Sequence, residues 1–152
     1  MGDATHDVST ARTVTVRGAE RFDLPVDPDR VERFDVTTRG LGFECASGRW
    51  IATDWTGILL TDLLASAAMG PETTHVVFES ADDYRTCIGV PDLLAGVLAL
   101  DADDDARTGF PRLVSPAVPG PRASKDVVAL YPLALEADDD PEDYEELDFE
   151  ED

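Results

Sequence analysis

Cys45 and Arg49 are the residues whose types and spacing could do chemistry together, within the segment 44–50. A thiolate is a strong ligand for a soft metal ion, and an arginine four residues further on could hold an anion beside that metal. The alternative is that Cys45 packs inside a strand, because free cysteine is among the most frequently buried residue types. The second cysteine, Cys87, lies in an alternating segment and is predicted to be a core residue.

Motifs for several common activities are absent from the sequence. Residues 120–125 lack the Gly-Lys-Ser/Thr ending of a phosphate-binding loop, and no glycine-rich dinucleotide fingerprint follows a predicted strand. The two histidines and two cysteines do not have the spacing of a zinc site. Ser47 is not in a nucleophile elbow, and His75, at the start of a predicted strand, is interpreted as structural. Hydrolysis by a known motif is therefore disfavoured.

The chain is strongly acidic, with a formal net charge of −21 from 33 acidic and 12 basic residues. Residues 137–152 contain 11 of the acidic residues, and the remaining 22 still outnumber the basic ones. Lys125 is the single lysine. Carboxylates hydrate strongly and concentrated salt screens their repulsion, so this composition indicates a halophilic protein. The charge argues against nucleic acid and against anionic membrane surfaces as partners.

The length of 152 residues is sufficient for one domain with its own core. We expect a mobile leader over residues 1–10, a domain over residues 11–136 and a disordered acidic tail over residues 137–152. The leader lacks the basic and apolar stretches of a signal peptide, and no apolar run reaches the roughly 20 residues of a membrane span. With only two cysteines, no disulfide framework is expected. The expectation is a cytoplasmic protein without membrane insertion.

The elements that must position Cys45 are predicted to be mostly strands. A turn at Ser47-Gly48 separates predicted strands over 41–46 and 50–54, so Cys45 lies near the end of a hairpin. Trp50 and Trp55 are interpreted as core residues. The predicted helices cover 59–69 and 91–94. Further strands are predicted over 13–17, 31–38, 75–79, 84–90, 97–100, 112–115 and 126–135. This pattern predicts an α+β fold rather than a doubly wound sheet.

Four blocks of the sequence resemble, in the same order, the molybdopterin-binding domain of the sulfite oxidase family of oxidoreductases. They are the cysteine block 44–50, the Trp-Thr-Gly turn 55–57 with its following helix, the strand and turn 76–84, and the segment 109–116 with the closing strand 125–130. The third block ends in Ser-Ala-Asp-Asp-Tyr, where the family has Ser-Ala-Asp-Gly-Tyr. The resemblance implies a β-rich α+β domain, and the acidic composition suggests a short haloarchaeal member.

The resemblance also implies a molybdopterin cofactor and roles for individual residues. Cys45 would bind molybdenum through sulfur, for oxygen-atom transfer on a small oxyanion or on an S- or N-oxide. Arg49 would line the oxyanion pocket, and Tyr84 would donate a hydrogen bond to a metal oxo group or to the substrate. Cofactor binding is implied for Lys125, Arg122 and Arg112. A partner protein or electron-transfer subunit is a further expectation.

Departures from the family pattern support an alternative. The segment before the cysteine block is short, residues 101–108 are short and acidic where the family has a His-Gly pair, and Val128 replaces a basic residue of the closing strand. The alternative is a non-catalytic version of the fold that serves as a binding or interaction module. The two hypotheses predict different surroundings for Cys45. A ligating cysteine lies at a polar, accessible cavity, whereas a structural one is enclosed by side chains.

Overall fold

The secondary structure is dominated by strands in the computed structural model, which describes residues 13–18, 21–32, 34–45, 47–66, 72–81, 84–103, 109–120 and 123–145. One α-helix, α1 (Leu60–Ser66), is found within these ranges, together with 3-10 turns at Pro28–Arg30, Val90–Leu93 and Pro141–Tyr144. The strands are β1 (Thr13–Arg17), β2 (Arg21–Pro25), β3 (Thr37–Glu44), β4 (Trp50–Leu59), β5 (His75–Ser80), β6 (Arg85–Gly89), β7 (Val97–Ala102), β8 (Arg112–Val114) and β9 (Val127–Leu133). The predicted α+β class is confirmed.

The strands are arranged in two sheets. The five-stranded sheet has the order β2-β1-β9-β5-β6, and the four-stranded sheet has the order β3-β4-β7-β8. The pair β1–β9 is parallel, and the other pairs are antiparallel. Strand β6 is therefore an edge of its sheet, and the β3–β4 hairpin forms one side of the other sheet.

The larger buried cluster joins the two sheets. Val16 of β1 and Phe78 of β5 meet Leu98 of β7 and Leu63 of α1 in it, and all four are fully buried. Each such side chain contributes about 1.5–3 kcal/mol relative to an exposed one. A smaller cluster on the four-stranded sheet consists of Phe43, Trp55, Val97, Ala99 and Val114. The hairpin that carries Cys45 at its end therefore contributes Phe43 and Trp55 to this apolar cluster.

Gly57 explains how β4 passes close to β7. The register of this pair shifts between Thr56 and Gly57, and a Cβ at Gly57 would collide with the backbone of Leu98 and Ala99. Such an irregularity bends the strand locally. The glycine of the Trp-Thr-Gly block is therefore required by close packing of two backbones.

Most predicted elements occur within the described residues, with two differences among the strands. Residues 31, 32 and 34–36 do not form the predicted strand, and Val31 and Phe34 pack against the core individually. Strand β2, which was not predicted, pairs with β1, and its Phe22 lies 5.8 Å from Phe34 between ring centroids. The predicted leader and residues 67–69 of the predicted helix lie outside the described residues. No helix within the described residues is both long and apolar enough to cross a membrane.

The two tryptophans differ in burial. Trp55 is fully buried, as predicted, and its indole N–H donates to the carbonyl of Leu41 at 3.1 Å. Trp50 is 61% exposed, so its assignment to the core is wrong. Its ring lies over Gly42 of the neighbouring strand, where a Cβ would collide with it. The two residues lie on β4 at an odd spacing and thus face opposite sides of the sheet.

Candidate functional site

Cys45 lies in the turn that joins β3 to β4. Its N–H donates to the carbonyl of Arg49 at 2.8 Å, and its own carbonyl accepts from the N–H of Gly48 at 2.9 Å. Gly48 has a φ of 87°, a conformation that glycine adopts without steric cost. These bonds hold the Cys45 thiol at the end of the hairpin, where the residue is partly exposed. Cys45 is therefore not enclosed in the core, whereas Cys87 is buried as predicted.

The turn favours the thiolate form of Cys45. The Sγ lies 3.0 Å from the Oγ of Ser47, and this hydrogen bond is the largest cause of a lowered Cys45 pKa. The backbone of Ser47 acts in the same direction, while desolvation opposes the shift, and the backbone and charge of Arg49 lower the pKa further. Hydrogen-bond donors that converge on sulfur stabilise its negative form. The thiolate is the form that binds a metal or attacks an electrophile.

A cavity of about 270 Å³ lies beside this turn. Gly120 belongs both to the cavity wall and to the surroundings of Cys45. A Cβ built on Gly120 would lie 3.1 Å from the Cα of Cys45 and 3.4 Å from the carbonyl oxygen of Glu44. The cavity is lined by Ser80, Tyr84, Gly120, Ala123, Ser124, Lys125 and Asp126. The structure therefore brings two predicted site residues, Tyr84 and Lys125, into one cavity with Cys45 behind its wall.

The Lys125-Asp126 turn is positioned by backbone hydrogen bonds. Asp126 has a φ of 51°, in the left-handed region, which aspartate tolerates better than most residues. Its N–H donates to the carbonyl of Gly109 at 2.8 Å, and its carbonyl accepts from the N–H of Ala81 at 3.0 Å. The stem of Lys125 packs on Gly109, where an added Cβ would lie 2.9 Å from the Lys125 Cβ. These contacts hold Lys125 against the cavity.

Ser80 contributes a buried hydroxyl to the cavity wall. The residue is 6% exposed, and within the described part of the chain its Oγ has no hydrogen-bond partner. A buried polar group left without a partner costs about 1–3 kcal/mol. The N–H of Ser80 donates to the carbonyl of Tyr84 at 2.8 Å, which places Tyr84 on the same wall. Ser80 therefore places a polar group at the wall of the cavity.

The three arginines predicted for the site are placed differently. Arg49 is exposed in the Cys45 turn. Arg112 is 3% exposed, with its guanidinium carbon 5.1 Å from the ring centroid of Trp55 and 5.8 Å from that of Phe43. These are cation–π distances, and the residue is not part of the cavity lining. Arg122 lies outside the described residues.

Five residues of the cavity wall were not among the sequence-predicted site residues, namely Ser80, Gly120, Ala123, Ser124 and Asp126. Ser80 carried a signal, because it ends a strand whose Val76 and Phe78 face the core, and a serine breaks that apolar pattern. Gly120 carried none, because its role depends on contact with a distant strand end.

Comparison with known proteins identifies the family of this chain. The family model for the oxidoreductase molybdopterin binding domain matches residues 8–139. The chain belongs to this family. It is a molybdopterin-binding oxidoreductase-like domain, and its predicted resemblance to the sulfite oxidase family is confirmed.

Among solved structures, the molybdopterin-binding domain is similar to the crystal structure of the sulfane dehydrogenase SoxCD from Paracoccus pantotrophus. The match has a TM-score of 0.67 and 22% sequence identity over 84% of this chain, which shows a shared fold. This chain spans only 39% of the length of that chain. A search of curated protein sequences finds no match. The individual roles of Cys45, Arg49, Tyr84, Lys125, Arg122 and Arg112 stay predictions.

Proposed function

We propose that Cys45 binds the molybdenum of a molybdopterin cofactor and that the domain takes part in two-electron oxygen-atom transfer. The substrate class is a small oxyanion or an S- or N-oxide. The observation that carries the proposal is the position of Gly120, which packs close to the Cys45 Cα and also lines the cavity with Tyr84 and Lys125. Membership of the molybdopterin-binding family supports the choice of cofactor.

The residues present fit such a cofactor. Cys45 offers one soft donor whose pKa is lowered, so sulfur is available as the thiolate. The buried Oγ of Ser80 would gain a hydrogen-bond partner from a polar group in the cavity. The absence of a side chain at Gly120 lets the cavity wall pack closely against the Cys45 backbone, because a Cβ there would lie 3.1 Å from the Cys45 Cα. Asp126 disfavours cofactor binding, because its carboxylate would repel an anionic group in the cavity.

The cofactor, when bound, supplies the redox chemistry of molybdenum. The residues of the chain then bind the cofactor and orient the substrate. Lys125 provides a cation for an anionic group of the cofactor, and the fork of Arg49 suits a planar or tetrahedral oxyanion near the thiol. The hydroxyl of Tyr84 can donate a hydrogen bond to substrate oxygen from the cavity wall.

The non-catalytic alternative is less well supported by the surroundings of Cys45. That alternative predicts a thiol enclosed by side chains with no adjoining cavity. Cys45 is instead partly exposed and hydrogen-bonded to Ser47, and Gly120, which packs close to its Cα, also lines the cavity. We therefore retain cofactor binding as the proposal.

We further propose that the domain works in concentrated salt inside the cytoplasm and exchanges electrons with a partner protein. The net charge of −21 supports the salt requirement, because dense carboxylates repel one another unless they are screened. A partner is proposed because oxygen-atom transfer moves two electrons, which need an acceptor or a donor.

The direct test is the molybdenum and pterin content of the protein produced in a host that makes the cofactor and purified in molar salt. We expect nearly one molybdenum per wild-type chain, and none in Cys45→Ser. Cys87→Ser is the matched control, because Cys87 is buried in β6 and away from the cavity lining. Folded wild-type protein without metal would refute cofactor binding. A loaded protein would justify a screen of sulfite and of S- and N-oxides.

A further inference from the structure

The segment 134–145, here called the strap, returns along the five-stranded sheet after β9. Near its start, the N–H of Leu135 donates to the Oγ1 of Thr74 at 2.9 Å. At its far end, the Nε of Arg85 donates to the carbonyl of Tyr144 at 3.3 Å. The strap includes the first nine residues of the predicted acidic tail, and residues 146–152 lie outside the described residues.

The strap covers an edge of the sheet. Cys87 lies on edge strand β6, and its N–H donates to Oε2 of Glu145 at 2.8 Å. The Glu145 carboxylate thus takes the place that a carbonyl of a neighbouring strand would occupy. Exposed N–H groups on an edge strand invite pairing with another chain. A charged acceptor makes a shorter and stronger bond than a neutral one.

The strap also lies over a face of β6 that the main core does not reach. Ile88 belongs to the core cluster between the sheets, so the neighbouring Cys87 side chain faces the opposite side. Cys87 is nevertheless only 3% exposed, and its cross-strand partner Val77 is fully buried. Neither residue belongs to the two core clusters. The strap's 3-10 turn, Pro141–Tyr144, packs against β6 and helps to cover this face.

The negative charge of the strap opposes its contact with the rest of the acidic chain. Residues 136–145 carry seven carboxylates and no Lys or Arg, in a chain whose net charge is −21. The Arg85 guanidinium donates to the backbone carbonyl of Tyr144 in the strap. It also lies 4.0 Å from the carboxylate of Glu79 in β5, which partly neutralises its positive charge. The screening length falls from about 10 Å in 0.1 M salt to about 3 Å in 1 M salt. Concentrated salt therefore removes most of the repulsion between the strap and the rest of the chain.

We propose that the strap is a salt-dependent latch. It closes on β6 in concentrated salt and opens in dilute salt while the two-sheet core remains folded. Opening uncovers Cys87 and the backbone edge of β6. The physical basis is that the bonds described above lie at the periphery of the sheet, and peripheral segments open at lower free energy than core strands.

The rate at which a thiol reagent labels Cys87 tests this proposal. In a Cys45→Ser background Cys87 is the only thiol, so the labelling rate reports exposure of β6. Near-UV circular dichroism, to which the buried Trp55 contributes, reports the core in the same samples. Between about 1 M and about 0.1 M salt, we expect labelling to accelerate at least tenfold while the near-UV signal is retained. Labelling that merely follows loss of the near-UV signal would overturn the latch.

Two triple variants separate the strap from a general effect of charge. Each removes three exposed carboxylates, so the change in net charge is the same. In the strap variant, the strap should remain closed down to a lower salt concentration than in wild type. In the control variant, it should open at the same salt concentration as in wild type. Equal shifts in the two variants would overturn the proposal. The strap variant is Asp138→Asn, Glu142→Gln and Asp143→Asn, and the control variant is Asp35→Asn, Asp54→Asn and Asp103→Asn.

A single substitution tests the bond at the sheet edge. Glu145→Ala removes the acceptor for the Cys87 N–H, so Cys87 should be labelled faster than in wild type even in molar salt. Glu145→Gln keeps an acceptor oxygen at the same place and should label more slowly than Glu145→Ala. Labelling of Glu145→Ala at the wild-type rate would show that Glu145 does not hold the strap.

Discussion

Gly120 packs close to Cys45, so that a Cβ at Gly120 would lie only 3.1 Å from the Cα of Cys45. This contact joins the turn after β3 to the loop after β8. It places the candidate metal ligand behind the wall of the cavity that holds Tyr84 and Lys125. The geometry of the proposed site therefore depends on a residue without a side chain.

Substitution of Gly120 should disturb the site. In Gly120→Ala the methyl group meets backbone atoms of Glu44 and Cys45, which cannot rotate away, so we expect a loss of about 1–3 kcal/mol. In the control, Gly40→Ala, the methyl group meets only the carboxylate of Asp54, which can move. Urea unfolding at constant molar salt would measure both. Equal stability of the two variants would show that the loop can shift away from Cys45.

The reactivity of Cys45 should depend on Ser47. The Ser47 hydrogen bond is the largest cause of the lowered Cys45 pKa, so Ser47→Ala should raise that pKa. Because the thiolate is the reactive form, the rise of alkylation rate with pH should then occur at higher pH, and the rate at neutral pH should fall. The measurement is the rate of iodoacetamide labelling against pH in a Cys87→Ser background. An unchanged pH profile would contradict the assigned bond.

Lys125 should matter for cofactor retention rather than for folding. It is exposed and lines the cavity, so Lys125→Gln should release cofactor more readily and leave the stability of the cofactor-free protein nearly unchanged, within about 0.5 kcal/mol. Arg21→Gln, on the outer strand β2, changes the net charge equally and serves as the control. Pterin and molybdenum content after dialysis against rising salt would measure retention. Equal losses in both variants would remove Lys125 from the site.

The left-handed backbone at Asp126 should limit which residues are accepted there. Both Asp126→Val and Asp126→Gly remove the carboxylate, but only valine is strained at a φ of 51°. We expect the valine variant to be less stable than the glycine variant by about 1–2 kcal/mol. Urea unfolding measures the difference. A valine variant as stable as the glycine variant would indicate that the turn relaxes out of the left-handed region.

Local pattern was sufficient to predict elements whose neighbours are close in the sequence. The hairpin around Ser47-Gly48 and the strands β1, β5 and β6 were anticipated because alternation and turn residues act over a few positions. Strand β2 was missed although Phe22 and Leu24 alternate with charged residues. The segment 31–36 shows a similar pattern, but its described residues 31, 32 and 34–36 form no strand. Only the availability of a neighbouring strand distinguishes the two.

The sequence by itself determined the family, the α+β class, the hairpin that carries Cys45 and the acidic character of the chain. The family follows from the resemblance of four ordered blocks, and the other features follow from residue types and short spacings. Tertiary structure decided that Cys45 packs close to Gly120, that Arg112 is buried against aromatic rings, and that acidic residues after β9 cover the edge of β6. These contacts join residues far apart in the chain, and their distances are set by how the two sheets pack rather than by local propensity.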